Sequence, residues 1–366
     1  MQNSSVNHEK KCKDLWDFPP VPPEQFFSTM NHFAHSAQFL CLIHASVKLR
    51  IFDHLEDWRT EKEIESVIAY PHPVTDYFNA LIKTGLVDYE DGKIRNTRVA
   101  STYLTSHSPF FQGAFLDKSI RHLRDLWLNL SEILEQGPRY YDEEKFFADL
   151  SLPSMAQNAL CGRLQQVVRK ISQIPSFMNM RKMIDLGGGH GLYAIALACK
   201  NPDLSAIIFD LPGVVSLAET YIAKYHLESR VQTRGGDFFT DPIGEQYDLI
   251  LSSSNPSGKS PEMVMKIAHA LNEGGYFVNI QPGDEHTPYD PLHELEFLLW
   301  TFDKTCIPKT EWSKTKKFPT EEYLTTLSEY HLQIQSISQV TDPYIKNYHV
   351  TMMIAQKKAD GYIFRM

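Results

Sequence analysis

The run Met183-Ile184-Asp185-Leu186-Gly187-Gly188-Gly189-His190-Gly191 constrains this chain more than any other segment. Its leading residues suit a buried strand, and an apolar helix pattern follows it (Leu192, Ala194, Ile195, Ala196, Leu197, Ala198). A turn stripped of side chains, set between a strand and a helix N-terminus, lets a ligand lie against backbone N–H groups. The glycine spacing narrows the choice of ligand. A dinucleotide fingerprint needs glycines at its first, third and sixth positions. Here they stand at 187, 189 and 191, with Leu at 192. A nucleotide-like cofactor other than NAD is therefore expected.

From Lys182 onward, strand and helix signals alternate. Strands are predicted over Lys182–Leu186, Ala206–Asp210, Arg230–Thr233, Asp248–Ser252, Tyr276–Ile280, Gln333–Ser338 and Val350–Ala355. That alternation indicates an α/β fold with a mostly parallel, doubly wound, Rossmann-like sheet. The front half reads differently. Phe39, Leu40, Leu42, Ile43, Val47, Ile51, Phe52 and Leu55 recur at helical spacing. Thr60 with Glu63 looks like a capping box, and a helix over about Val74–Thr84 ends at Gly85. Leu86–Tyr89 and Ile94–Asn96 then flank an Asp91-Gly92 turn, a hairpin signature. Helices followed by a hairpin give the order of a winged helix. The chain is thus divided into a flexible Pro-rich segment (1–23), a winged-helix-like domain (24–108), a largely helical bridging region (109–180), the sheet domain (181–358) and a tail (359–366).

A winged helix often binds DNA, but the helix that would enter the groove (Val74, Asp76, Tyr77, Phe78, Asn79, Ala80, Leu81, Ile82) carries almost no basic charge. Phosphate contacts need Lys or Arg. The net charge of −9 points the same way, so no nucleic-acid partner is expected and packing or dimerisation is the better role. Five scattered Cys form no CxxC pair, which fits reduced thiols. No apolar run approaches the roughly 18 residues of a membrane span. Met1 to Lys13 is polar and mixed in charge, unlike a secretion leader. A soluble, cytoplasmic protein with no membrane partner is the expectation. No metal site is expected either, because the 15 His do not pair with Cys or acids at ligand spacing.

Two further elements follow the glycine turn. Asp210, in Ile207-Ile208-Phe209-Asp210-Leu211-Pro212, ends the second strand of the sheet domain about 20 residues beyond the turn, where an acid accepts ribose hydroxyls. Helix capping is the alternative role for an Asp ahead of a Pro. After the third strand comes Gly235-Gly236-Asp237-Phe238-Phe239, where Asp237 could bond an adenine amino group and Phe238 stack on the ring. Taken alone, that stretch reads as an ordinary turn.

Together these motifs resemble the class I S-adenosylmethionine (SAM) dependent methyltransferases. More narrowly, they resemble the small-molecule O-methyltransferase family that includes caffeate, acetylserotonin and bacterial polyketide enzymes. The similarity runs from about residue 30 to 357, and Phe52-Asp53-His54-Leu55 and Lys83-Thr84-Gly85-Leu86-Val87 stand where that family has its dimerisation domain. The resemblance implies that Asp185, Gly187, Gly188, Gly189 and Gly191 hold the methionine end of SAM. It assigns Asp210, with Leu211 beside it, to the ribose and Asp237 and Phe238 to the adenine. It also implies a small hydrophobic or aromatic metabolite as acceptor, and a homodimer.

The resemblance fails where the family keeps its base. Phenol-methylating members carry a catalytic His after the fourth strand, and here Leu251-Ser252-Ser253-Ser254-Asn255-Pro256-Ser257-Gly258-Lys259-Ser260-Pro261 holds neither His nor Trp. The family's partner Glu is also missing, with Lys317-Phe318-Pro319 in its place. His269 is read as structural, and Glu321 and Glu322 as first-turn helix residues. No catalytic residue is assigned. A substitute base could lie in Asp284-Glu285-His286 or in the stretch His293-Glu294-Leu295-Glu296-Phe297-Leu298-Leu299-Trp300, but a solvated loop for the first and a solvated helix face for Glu294 and Glu296 are the expectation. Methyl transfer by alignment alone suits a thiol, an amine, an activated carbon or an acidic hydroxyl. A non-methylating use of SAM (hydroxylation, decarboxylation or a pericyclic step) and a non-catalytic SAM-binding dimer are the competing readings.

Overall fold

A computed structural model describes residues 18–68, 74–282, 290–306, 318–342 and 348–359, in two units that divide between Ala100 and Ser101. The first unit holds a long helix, Pro23–Lys48, and shorter ones over Ile51–His54, Glu61–Glu65 and Val74–Lys83. The strand Lys93–Asn96 pairs antiparallel with both Arg59–Thr60 and Val87–Glu90. Asp91 (φ 48°) and Gly92 (φ 75°) are both left-handed, the backbone a two-residue hairpin turn demands. The Glu63 carboxylate accepts from the Thr60 backbone N–H at 2.8 Å, closing the expected capping box. Ile51, Phe52, Leu55 and Leu81 form the buried centre of this unit.

In the second unit, the helices that lead in include α1 (Gly113–Asp125), α2 (Leu152–Ala159) and α3 (Arg163–Ser172). The sheet elements follow as β1 (Lys182–Leu186), α4 (Leu192–Lys200), β2 (Ser205–Asp210), α5 (Ser216–Lys224), β3 (Val231–Gly235), β4 (Tyr247–Ser253), α6 (Pro261–Ala270) and β5 (Leu271–Gln281). Then come α7 (Pro291–Leu298), α8 (Glu321–Glu329), β6 (Leu332–Asp342) and β7 (Tyr348–Lys357). Each predicted strand is present. The sheet order is β3-β2-β1-β4-β5-β7-β6. Neighbours run parallel from β3 to β5, whereas β7 is antiparallel to both β5 and β6.

Alternate side chains of the strands face opposite layers. Met183, Leu249, Leu251 and Val278 pack with residues of α3, α4 and α5, and Ile184, Ile250 and Phe277 pack with residues of α6 and α8. Both sheet faces are therefore covered, which is why the central strands carry apolar residues on both sides. Strand order reverses between β1 and β4, and the glycine turn leaves the carboxyl end of β1 at that switch point. Open α/β sheets bind ligands in this crevice.

A second, smaller junction lies beside it. Arg139–Tyr140 pairs parallel with Trp300–Thr301, tying the segment after α1 to the segment after α7. Leu126, Ile133, Phe146, Leu150, Leu299 and Trp300 are buried together there.

Candidate active site

Gly187, Gly189 and Gly191 all take left-handed backbone (φ 62°, 50° and 71°), so the turn folds as it does because these positions lack Cβ. The Gly187 and Gly188 N–H groups donate to the Phe209 carbonyl at 2.8 and 3.2 Å, and Gly191 N donates to Gly188 O at 2.8 Å. A Cβ on Gly187 would lie 2.7 Å from Asn255 Nδ2, and one on Gly189 2.7 Å from Leu152 Cδ2. Asn255 Nδ2 in turn donates to Leu186 O at 2.7 Å, fixing the loop after β4 against the end of β1.

The turn forms one wall of a cleft with Asp185, and Lys118, Leu152, Asn158 and Arg163 face it from α1, α2 and α3. Counting its open mouth, this cleft encloses about 820 Å³. Asp185 is 1% exposed, and its Oδ2 is buried without a hydrogen bond among the described residues. Burial and the neighbouring Asp210 charge push its carboxyl up to about 8. Asp210 is tied to the turn directly: its Oδ2 accepts from Gly189 N and its Oδ1 from Leu211 N, both at 2.8 Å. Burial raises this carboxyl too, against the opposing pull of those two backbone bonds.

The third element joins the second through Gly236 N, which donates to Asp210 O at 2.9 Å. Asp237 there closes a tight turn, accepting from Phe239 N at 2.9 Å, while its own N–H donates to Asp241. Phe238 is partly buried against the core layer that includes α6 and α8. The residues that the resemblance assigns to SAM thus stand at or just beyond the carboxyl ends of β1, β2 and β3. Gly191, as the residue before α4, packs behind the turn against Ile208 and Ala218.

Several cleft residues carried no local sequence signal. Arg163 Nη2 donates to Ser254 Oγ at 2.6 Å and to Ser253 Oγ at 3.3 Å, bridging α3 to the end of β4. His190 accepts from Leu192 N at Nδ1, and burial with the Arg163 charge holds its ring down to about 4, so it is neutral at pH 7. Lys118 is depressed by burial, with Glu296 opposing the shift. Glu296 does not lie on a solvated helix face as expected. Its Oε1 is bonded to His122 Nδ1 and its Oε2 accepts from Trp127 Nε1, each at 2.7 Å, because α7 packs against the aromatic cluster. Asp284-Glu285-His286 and Lys317 lie outside the described residues. His269 packs its ring edge-on near Tyr330, at 6.1 Å, and lines a different depression on α6.

Comparison with known proteins identifies the family. An O-methyltransferase domain model matches residues 147–298. An uncharacterised protein of Methanocaldococcus jannaschii is 30% identical over 297 residues, 78% of this chain and 78% of that protein. The N,N-dimethyltransferase OxyT of Streptomyces rimosus is 27% identical, over 71% of this chain and 78% of its own length. Among solved structures, human N-acetylserotonin methyltransferase in complex with SAM superposes with a TM-score of 0.62 at 21% identity, covering 93% of this chain and 100% of that one. The domain match and a relative 30% identical over 78% of the chain place it plainly: the protein belongs to the O-methyltransferase family.

Proposed function

We propose that this chain transfers the methyl group of SAM to a small hydrophobic or aromatic metabolite. The observation that carries the reading is the Asp185 carboxyl, which lines the cleft with one oxygen buried and unbonded among the described residues. A buried acid raised to about 8 is mostly neutral at pH 7, and a cation set beside it stabilises the charged form. The ammonium at the methionine end of SAM is such a cation. Gly187, Gly188, Gly189 and Gly191 let the backbone approach that end of the ligand, and a Cβ at Gly187 or Gly189 would instead collide with Asn255 or Leu152. Asp210, with Leu211 beside it, would take the ribose hydroxyls on the carboxylate lone pairs that Gly189 and Leu211 leave unused. Asp237 and Phe238 would take the adenine. When bound, SAM supplies a methyl group already activated on a sulfonium.

The end of β4 offers no base in this reading. Ser252, Asn255 and Ser257 are bonded to one another, and Gln281 Nε2 donates to both Asn255 O and Asn279 Oδ1. These side chains fix the loop and none titrates near neutral pH. Unless a base comes from elsewhere in the fold, the acceptor must be a thiol, an amine, an activated carbon or an acidic hydroxyl that reacts by alignment alone. The first unit, with the stretch up to residue 108, would pair two copies into a homodimer. Phe26, Phe27 and Phe33 on its long helix are 58–61% exposed, the kind of apolar surface a partner covers.

Calorimetric titration tests the cofactor assignment. Asp210→Ala is expected to weaken SAM and S-adenosylhomocysteine alike by about ten- to a hundredfold, as the loss of charged hydrogen bonds implies. Unchanged affinity for both would contradict the assignment of Asp210 to the ribose.

A further inference from the structure

Lys118 and His122 lie four residues apart on α1, on one face and one helical turn apart. Lys118 lines the cleft beside Asp185 and the glycine turn. His122 sits one turn deeper, its side chain 6% exposed, held at Nδ1 by Glu296 at 2.7 Å. Burial pushes the Glu296 carboxyl up, but the bonds from His122 and Trp127, with the nearby Lys118, hold it below the usual carboxylate value. An ionised carboxylate only accepts, so the ring must donate from Nδ1. In the neutral imidazole that leaves Nε2 with a free lone pair. Nε2 is buried and has no hydrogen-bond partner among the described residues. An orphaned acceptor on a carboxylate-oriented imidazole is the arrangement of a general base.

Its surroundings indicate what it would act on. The Phe146 ring stacks near His122 (6.4 Å, 21°), and Trp300 stacks on Phe146 at 4.4 Å. Phe302 closes edge-on to Phe146 at 5.4 Å. These rings belong to the packed aromatic cluster at the junction of the segments after α1 and α7, and they make the side of His122 that faces them apolar.

Resting on the SAM-dependent function proposed above, we infer that His122 accepts the proton of an aromatic hydroxyl as that hydroxyl is methylated, with Glu296 as its positioning residue. The acceptor oxygen forms a bond to the methyl carbon. The carbon–sulfur bond breaks, and its electron pair stays on sulfur to give S-adenosylhomocysteine. The hydroxyl proton passes to Nε2, and the resulting imidazolium is stabilised by Glu296. The dyad thereby supplies from α1 and α7 what the end of β4 lacks.

The test uses the full chain, labelled SAM and a phenol series graded from nitrophenol to alkylphenols. His122→Asn is expected to lower kcat on the alkylphenols by about 10²- to 10⁴-fold, and on the already ionised nitrophenol by less than about tenfold. Glu296→Gln should follow the same gradient, and Glu296→Asp should recover part of the loss. SAM affinity, read by calorimetry, should stay within about threefold of wild type in each variant, since no binding group is removed. For His122→Asn the alkylphenol rate should climb about tenfold per pH unit where the wild-type rate is level. Glu296 and Asp125 are the charged groups that act on His122 directly, and Lys118, Arg121, Arg124 and Tyr141 act in turn on one or both of those carboxylates. Imidazole nitrogen NMR of the ligand-free wild type should show His122 protonated on Nδ1 and bare on Nε2. Equal losses across the series, no loss, an Nε2-protonated ring, or a wild type that binds SAM yet methylates no phenol would each overturn the inference. Failure to bind SAM would instead overturn the underlying function.

Discussion

Asp185 faces two opposing demands. In the ligand-free protein its carboxyl is buried beside Asp210 and raised to about 8, so near pH 7 it mostly holds its proton. Because the folded acid binds its proton more tightly than the unfolded chain, with its ordinary value of 3.8, its contribution to stability is full below 3.8. That contribution is lost as pH rises toward 8. A bound ammonium reverses the preference, so SAM binding at pH 7 should release up to about one proton. Calorimetry in buffers of different ionisation enthalpy measures it, and no buffer dependence would contradict the ammonium's placement. Gly191 is bound by space rather than charge. A Cβ there would lie 2.5 Å from Ile208 Cδ1 and 3.1 Å from Ala218 Cβ, at a φ of 71°. Gly191→Ala should cost about 1–3 kcal/mol, measured by denaturant unfolding. Both residues were legible in sequence because a glycine turn needs its glycines adjacent. Glu296 stood in a stretch that could hold a base, but its pairing with His122 was not legible, because the two are 174 residues apart and meet only once α1 and α7 pack.

At the scale of elements, the strands were the most legible feature. Buried strands such as β1 and β4 are short, largely apolar segments bounded by turn residues, which sets them apart from the longer helices. Direction was not legible. β6 and β7 carry the same alternation whether they run parallel or antiparallel, and only hydrogen bonding sets β7 against β5. The helices over 113–172 read as a bridge because their amphipathic pattern says that they pack but not on what. In the structure Leu152, Asn158 and Arg163 from this stretch face the glycine turn. The aromatic cluster depends on the same long-range packing. Phe146 touches Tyr141, Phe147, Trp300 and Phe302. Phe146→Ala should therefore cost about 3–5 kcal/mol by denaturant unfolding. A loss under about 1 kcal/mol would show that this cluster is loosely packed.

At the scale of the molecule, the two units divide the work proposed for the chain. Among the described residues no helix is long enough and apolar enough to cross a membrane, and the exposed Phe26, Phe27 and Phe33 of the first unit are the surface proposed to pair two copies. Replacing Phe27 and Phe33 together with Asp should halve the mass seen by sedimentation equilibrium and leave SAM affinity unchanged. A wild type that sediments as a monomer would contradict the homodimer. The second unit carries the central claim, that the crevice at the ends of β1, β2 and β3 holds SAM. A crystal structure grown with S-adenosylhomocysteine tests it most directly. The expected density places the ammonium beside Asp185, the ribose hydroxyls on Asp210 and the adenine between Asp237 and Phe238. A ligand bound elsewhere, or a crevice left empty at saturating ligand, would contradict it.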